Sequence, residues 1–250
     1  MDILACVKRV PLVGGTIALT SDGQEVDTRM TGFTVSPHEE CAVEEAVQIA
    51  AKLGGSVTVL TLGPPEATEQ LRDMLALGAG RAILLETDGV EWGPLATAAA
   101  IADAARDGGY GLLLFGNEAA DTGGYQVPVR VAHALGLPCV TGIKRLEVTG
   151  AGLTAQREYR GTAETFEVPL PAVVSVKEGI NLPRYPSLPG RLRAKKATID
   201  TRGPARTDEG LRKVRLVAPP PSQHRATMLG VGGEAVPALV GVLEELGVLR

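Results

Sequence analysis

The chain has 250 residues, enough for one large α/β domain or two small ones, and a hydrophobic fraction of 44% suffices for a substantial core. Aromatic residues make up only 3%, so neither base stacking nor a large aromatic interface is well supplied. The net charge of −4 is unevenly spread, because residues 191–215 hold nine basic and three acidic residues, a net of +6 that leaves −10 for the remainder. No aromatic interleaves those charges, so the basic stretch reads as a solvated connector rather than a nucleic-acid interface.

Cys6, Cys41 and Cys139 are far apart, form no Cys-x-x-Cys pair and read as small buried hydrophobes in a reducing compartment. His38, His133 and His224 share no metal-ligand spacing, so no protein-bound metal is expected. No apolar run approaches the roughly 18 residues of a membrane span. With a strand entering directly at Asp2, the expectation is a cytoplasmic protein without membrane insertion.

In chain order, residues 3–7 are continuously apolar, which suits a strand buried on both faces of a parallel sheet. After Gly14-Gly15, residues 16–26 carry the hairpin signal Asp22-Gly23. Ser36-Pro37-His38-Glu39 opens a helix, with Ser36 as N-cap, Pro37 in the first turn and Glu39 as capping-box acid. Ala42, Val43, Ala46, Val47, Ala50 and Leu53 form its apolar face, and Gly54-Gly55 ends it. Residues 56–62 read as a second strand, 63–77 as a helix stopped by Gly78, 81–86 as a third strand and 94–106 as a third helix. A fourth strand over 111–115, a long polar loop, a helix over 126–135 and a fifth strand over 138–143 follow.

Such alternation implies a doubly wound parallel α/β sheet with right-handed crossovers. Were the strand order 3-2-1-4-5, strands one and four would leave a crevice beyond their carboxyl ends. The glycine-bearing loops Gly14-Gly15 and residues 116–126 would both sit there, the second leading into a helix N-terminus suited to a phosphate. Neither a P-loop nor a dinucleotide fingerprint is present, since Gly78-Ala79-Gly80 precedes a strand and lacks a third glycine.

From Lys144 the pattern changes to period two, with Leu146, Val148, Leu153 and Tyr159, then Phe166, Val168 and Leu170, which predicts an antiparallel addition. Residues 172–176 form a β-branched run read as a buried strand. Pro183, Pro186 and Pro189 then recur at every third position, so residues 182–190 should be irregular or extended. Leu182, Tyr185 and Leu188 in that stretch either fold back on the core or form a docking loop. Beyond Lys196, residues 213–217 are a candidate strand, Pro219-Pro220-Pro221 follows, and residues 234–246 form an amphipathic segment. Such an arm has too little apolar surface to fold alone and should lie on its own domain or on a partner.

Leu170-Pro171-Ala172-Val173-Val174, the run Pro183-Arg184-Tyr185-Pro186-Ser187-Leu188-Pro189 and Ala194-Lys195-Lys196, at this spacing, resemble the signature of electron transfer flavoprotein small (beta) subunits. The resemblance extends back through Arg157-Glu158, Gln126, Gly116, Ser36-Pro37, the 42–47 run and Val7-Lys8-Arg9, covering roughly residues 1–200, while the last fifty match loosely. It implies an adenine-nucleotide alpha-hydrolase-like domain over 1–190 that holds AMP as a structural ligand, and an arm over 191–250 that wraps around the alpha subunit. AMP-contacting positions carried over are Cys6, Ser36, Pro37, His38, Glu39, Leu62, Ala119, Ala120, Asp121, Thr122, Gly123, Gly124, Tyr125, Gln126, Val127, Pro128, Val129 and Arg130. His38 and Glu39 depart from the usual family residues, as does Gly123-Gly124-Tyr125 after Asp121.

The resemblance further implies an electron carrier without bond chemistry of its own, with FAD held mainly by the alpha subunit. Electrons would pass from flavin dehydrogenases, such as acyl-CoA dehydrogenases of fatty acid oxidation, to a membrane quinone reductase. Leu188 falls at the family's anchoring leucine, with Tyr185 and Arg191 beside it, and Glu158 matches one side of an ion pair with the alpha subunit. The alternatives are an electron-bifurcating subunit with FAD in place of AMP, whose Asp-Gly-Asp-Thr-Ala-Gln loop is partly echoed by Asp121-Thr122, or a nucleotide-binding sensor of universal-stress type. An ATP-pyrophosphatase-like enzyme would need a Ser-Gly-Gly-x-Asp-Ser loop that Val13-Gly14-Gly15-Thr16 does not supply.

Overall fold

The computed structural model describes residues 1–12, 14, 17–208, 210, 213–220 and 226–249. Its elements run β1 Ile3–Cys6, β2 Arg9–Pro11, β3 Phe33–Val35, α1 Pro37–Leu53, β4 Val57–Gly63, α2 Thr68–Leu77, β5 Arg81–Glu86 and α3 Pro94–Arg106. They continue through β6 Leu112–Gly116, α4 Val127–Leu135, β7 Cys139–Ile143, β8 Arg145–Val148, β9 Leu153–Tyr159, β10 Thr162–Val168, β11 Ala172–Val176, α5 Leu188–Lys196 and β12 Asp200–Arg202. A first compact unit spans Met1–Arg215 and a second Leu216–Arg250. The second carries a 3-10 turn, Gly232–Ala235, and α6 Val236–Glu245, which buries none of its side chains.

Seven strands form one parallel sheet in the order β12-β5-β4-β1-β6-β11-β7. The 3-2-1-4-5 arrangement is therefore present with two additions: β11 is inserted between the fourth and fifth strands of the alternation, and β12 extends the edge beyond the third. All five residues of β11 are buried, as a β-branched run covered on both faces requires. A separate antiparallel sheet, β10-β9-β8, accounts for the period-two pattern, and β2-β3 is a short antiparallel pair.

Alternation along β1 feeds two cores. Ile3 and Ala5 face a cluster built with α1 and α2, whereas Leu4 and Cys6 face one built with α3 and α4. Truncating a fully buried leucine here, such as Leu4 or Leu114, should cost about 2–5 kcal/mol. Of the glycine stops, Gly54 takes φ +73° and Gly136 φ +67°, left-handed positions that end α1 and α4.

Several expectations need correction. The stretch opening at Gly63 begins as a 3-10 turn, Pro65–Ala67, and becomes α-helical only at Thr68. Residues 182–187 are irregular, but α5 already opens at Leu188, because Pro189 occupies its first turn, where a missing N–H costs no intrahelical bond. Ser187 caps that turn, its hydroxyl accepting from the Gly190 N–H at 3.1 Å. Gly190 and Arg191 both lie within this helix. Residues 213–217 contain no strand, and the Asp22-Gly23 turn supports a single bridge, Leu19 to Val26. Gly15, Thr16, Pro221 and His224 fall outside the described residues.

Candidate functional site

Strand β1 pairs with β4 on one side and β6 on the other, so the crossovers to those neighbours leave in opposite directions. Beyond the carboxyl ends of β1, β4, β5 and β6 lies a cleft of about 360 Å³, within the range of small-ligand sites. Cys6, Leu62, Ile101, Phe115, Val127 and Pro128 give it apolar walls, and Lys8, Arg9, Thr87, Asn117 and Gln126 supply polar groups. The N-terminus of α4 also opens there, bringing the positive end of its dipole.

Of the expected contact positions, Cys6, Glu39, Leu62, Ala119, Thr122, Gly124, Tyr125, Gln126, Val127 and Pro128 line the cleft. Ser36, Pro37, His38, Ala120, Asp121, Gly123, Val129 and Arg130 do not, and five of these have other contacts. The Ser36 hydroxyl accepts from the Ala120 N–H at 3.0 Å, and Asp121 pairs with the Lys8 ammonium at 2.6 Å. Arg130 donates to the Gln126 side-chain oxygen at 2.9 Å and 3.1 Å. His38 Nε2 faces the Glu118 carboxylate at 3.8 Å, and the Tyr125 hydroxyl bonds to the same Glu118, which raises the Tyr125 phenol above its ordinary value. These contacts fasten the 116–126 loop to Lys8, between β1 and β2, and to the start of α1, so the loop is a shaped wall.

The end of β6 meets α1 without clearance. A Cβ at Gly116 would stand 2.5 Å from Glu39 Cγ and 2.9 Å from the Glu39 backbone nitrogen, so a glycine is required there. Asn117, next in sequence, is buried and oriented by the Ser175 hydroxyl, which donates to its side-chain oxygen at 3.1 Å. Gly123 takes φ +53°, a left-handed turn within the same loop.

Glu39 is the buried acid of the site. Burial drives its carboxyl up to about 8, against the N–H groups of Lys8 at 2.9 Å and Ser36 at 3.4 Å, which favour the ionised form. Because the folded value lies above that of an unfolded glutamate, folding takes up a proton between the two. Stability should then fall as pH rises from about 4.5 to about 8. Glu39→Gln is expected to flatten that decline, whose slope approaches ~1.4 kcal/mol per pH unit, in chemical denaturation run across the interval. An unchanged slope would show that Glu39 is ionised in the fold. Burial also pushes the Cys6 thiol well above its ordinary value, which keeps it protonated and a poor nucleophile.

The expected set omits Lys8 and Arg9 and, above all, the 87–94 loop that forms the opposite wall with Thr87, Gly89, Val90, Glu91, Trp92 and Gly93. The available signal was positional: Asp88-Gly89 and Gly93-Pro94 punctuate a loop that must leave the carboxyl end of the third strand. Arg9 rests its guanidinium 3.2 Å from the centroid of the Phe33 ring. Elsewhere, Leu182, Tyr185 and Leu188 are 89%, 95% and 72% exposed, so they do not fold back on the core. Arg191 lies in the first turns of α5, and Glu158 stands exposed near the tip of the β9-β10 hairpin, opposite Ala163.

An open doubly wound α/β sheet with a ligand-sized cleft at its switch point defines a ligand-binding scaffold whose walls are loops at the carboxyl edge. The family described as "Electron transfer flavoprotein domain" matches residues 26–206. The chain is 35% identical over 207 residues to the electron transfer flavoprotein subunit beta of Bacillus subtilis (strain 168), covering 80% of this chain and 78% of that protein. To the protein of that name from Mycobacterium tuberculosis (strain ATCC 25618 / H37Rv) it is 38% identical over 205 residues, with 79% and 77% covered. For Syntrophomonas wolfei subsp. wolfei the identity is 35% over 221 residues, with 88% and 86% covered. The chain belongs to the electron transfer flavoprotein family, on its beta-subunit branch.

Proposed function

We propose that this chain pairs with an alpha subunit to form a heterodimeric electron transfer flavoprotein carrying electrons from flavin dehydrogenases to a membrane quinone reductase. In this reading AMP occupies the cleft as a structural ligand. The observation that carries it is the cleft itself, in which apolar walls suited to a purine face Arg9, the Asp121-paired Lys8 and the N-terminus of α4, suited to a phosphate. Lys8, Arg9 and the α4 amides would hold the phosphate end, while Cys6, Leu62, Phe115 and Val127 would flank the base. Cys6, protonated by burial, adds no nucleophile, which accords with binding rather than turnover of the nucleotide.

FAD, which the alpha subunit would mainly hold, would supply the redox chemistry between the donor's flavin and the next acceptor. This chain's part is to present the exposed 182–188 segment to the donor and Glu158 to the alpha subunit. Expected from the co-purified heterodimer is one AMP and one FAD, released by denaturation and identified by mass. Two FAD molecules without AMP would instead assign the chain to the electron-bifurcating type. Recovery of neither nucleotide from the beta chain would overturn the structural-ligand reading.

A further inference from the structure

The exposed segment has almost no backbone bonds of its own, since Pro183, Pro186 and Pro189 lack donors. What fixes its first half is one stripe of helix α1, where Cys41, Glu44, Glu45 and Gln48 lie at helical spacing on a common face. The Arg184 guanidinium forks onto Glu44, with Nε to Oε2 at 2.8 Å and Nη2 to Oε1 at 2.7 Å, and the Arg184 N–H reaches Oε2 at 3.3 Å. Gln48 donates to Glu44 Oε1 at 2.8 Å. Asn181 donates from Nδ2 to the Cys41 carbonyl at 3.0 Å and to Glu45 Oε2 at 2.8 Å.

Glu44 and Glu45 are buried, an unusual place for adjacent carboxylates. Burial alone would raise Glu44, but the Arg184 hydrogen bonds, helped by Gln48, outweigh it and hold the carboxyl below its ordinary value. A bidentate guanidinium–carboxylate pair fixes direction as well as distance. Between the two clamped residues and just beyond them stand the exposed apolar side chains of Leu182, Tyr185 and Leu188.

We infer that Glu44 and Arg184, assisted by Glu45 and Asn181, are positioning residues that hold the Leu182-Tyr185-Leu188 ridge in its docking conformation before a partner arrives. This rests on the proposal that the segment meets the donor dehydrogenase. Removing the clamp leaves every ridge side chain present and lets the loop sample other conformations, so each docking event must order it.

The test is a double-mutant cycle in the assembled heterodimer, reading the apparent KM for the donor dehydrogenase, kcat and melting temperature for Arg184→Met, Leu188→Ala and the pair. Arg184→Met is expected to raise KM about tenfold with kcat unchanged in the native background, and less than about twofold once Leu188 is alanine. Because Arg184→Met strands a buried carboxylate, Glu44→Leu with Arg184→Met is run alongside. An apolar pair restores packing without restoring the clamp, and it should reproduce the KM effect in a folded protein. Equal KM increases in both backgrounds would mean that Arg184 touches the partner directly, which overturns the inference. So would an unchanged KM in both clamp variants while Leu188→Ala raises it. If Leu188→Ala leaves KM unchanged, the docking-segment reading itself fails.

Discussion

Leu188→Ala is expected to raise the apparent KM for the donor dehydrogenase roughly thirtyfold, the effect of losing about 2 kcal/mol from a desolvated anchor. The melting temperature should stay within about a degree of the native value, because Leu188 is 72% exposed and the truncation opens no cavity in the core. Its place at the first position of α5, between Pro186 and Pro189, limits how far the side chain can wander when free. A lowered melting temperature with an unchanged KM would show that Leu188 packs on its own domain instead.

Gly116→Val should act on the opposite property, nucleotide retention. The new side chain would start 2.5 Å from Glu39 Cγ and 3.1 Å from the His38 carbonyl carbon, so β6 and the first turn of α1 must separate. Overpacking of this kind costs about 1–3 kcal/mol, a fall of roughly 2–10 °C in melting temperature for a domain of this size. It also displaces Glu39 and Asn117 from the cleft, and co-purified nucleotide should drop at least about tenfold. Gly124→Ala is the informative partner: nothing lies within 4 Å of its added carbon, so a loss of nucleotide there means that the ligand approaches the backbone. Stoichiometric nucleotide in Gly116→Val would place the ligand away from this junction.

The parallel alternation was legible because each boundary carries local chemistry: Ser36-Pro37 and Gly54 around α1, Gly78 after α2, Pro94 before α3. Strand order was only partly legible. Nothing in Ala172–Val176 names its neighbours, and its insertion between β6 and β7 depends on pairing with strands some thirty to sixty residues earlier. Likewise Asp200–Arg202, three exposed residues with a charge at each end, has no strand signature, and it is a strand because the edge of β5 was open to it.

At the cleft, the 116–126 loop announced itself by glycines and a helix entry, whereas the 87–94 wall looks like any connection until β5 is placed beside β4. Glu44 and Glu45 were hidden more deeply. On a helix whose other face is plainly apolar, two adjacent carboxylates read as solvated, and only the return of Arg184 and Asn181 across more than 130 residues explains their burial.

The pairing of β12 with β5 gives the docking segment an unusual mechanical setting. It leaves the sheet from β11 and returns to it at β12, on the far side of β6, β1, β4 and β5. Along the way α5 is tied down by Arg72, whose guanidinium reaches the Ala194 carbonyl at 2.6 Å and the Ala197 carbonyl at 3.2 Å. The segment is therefore a bridge with both abutments set in the same slab, and a load applied at Leu188 during docking is shared between two distant strands.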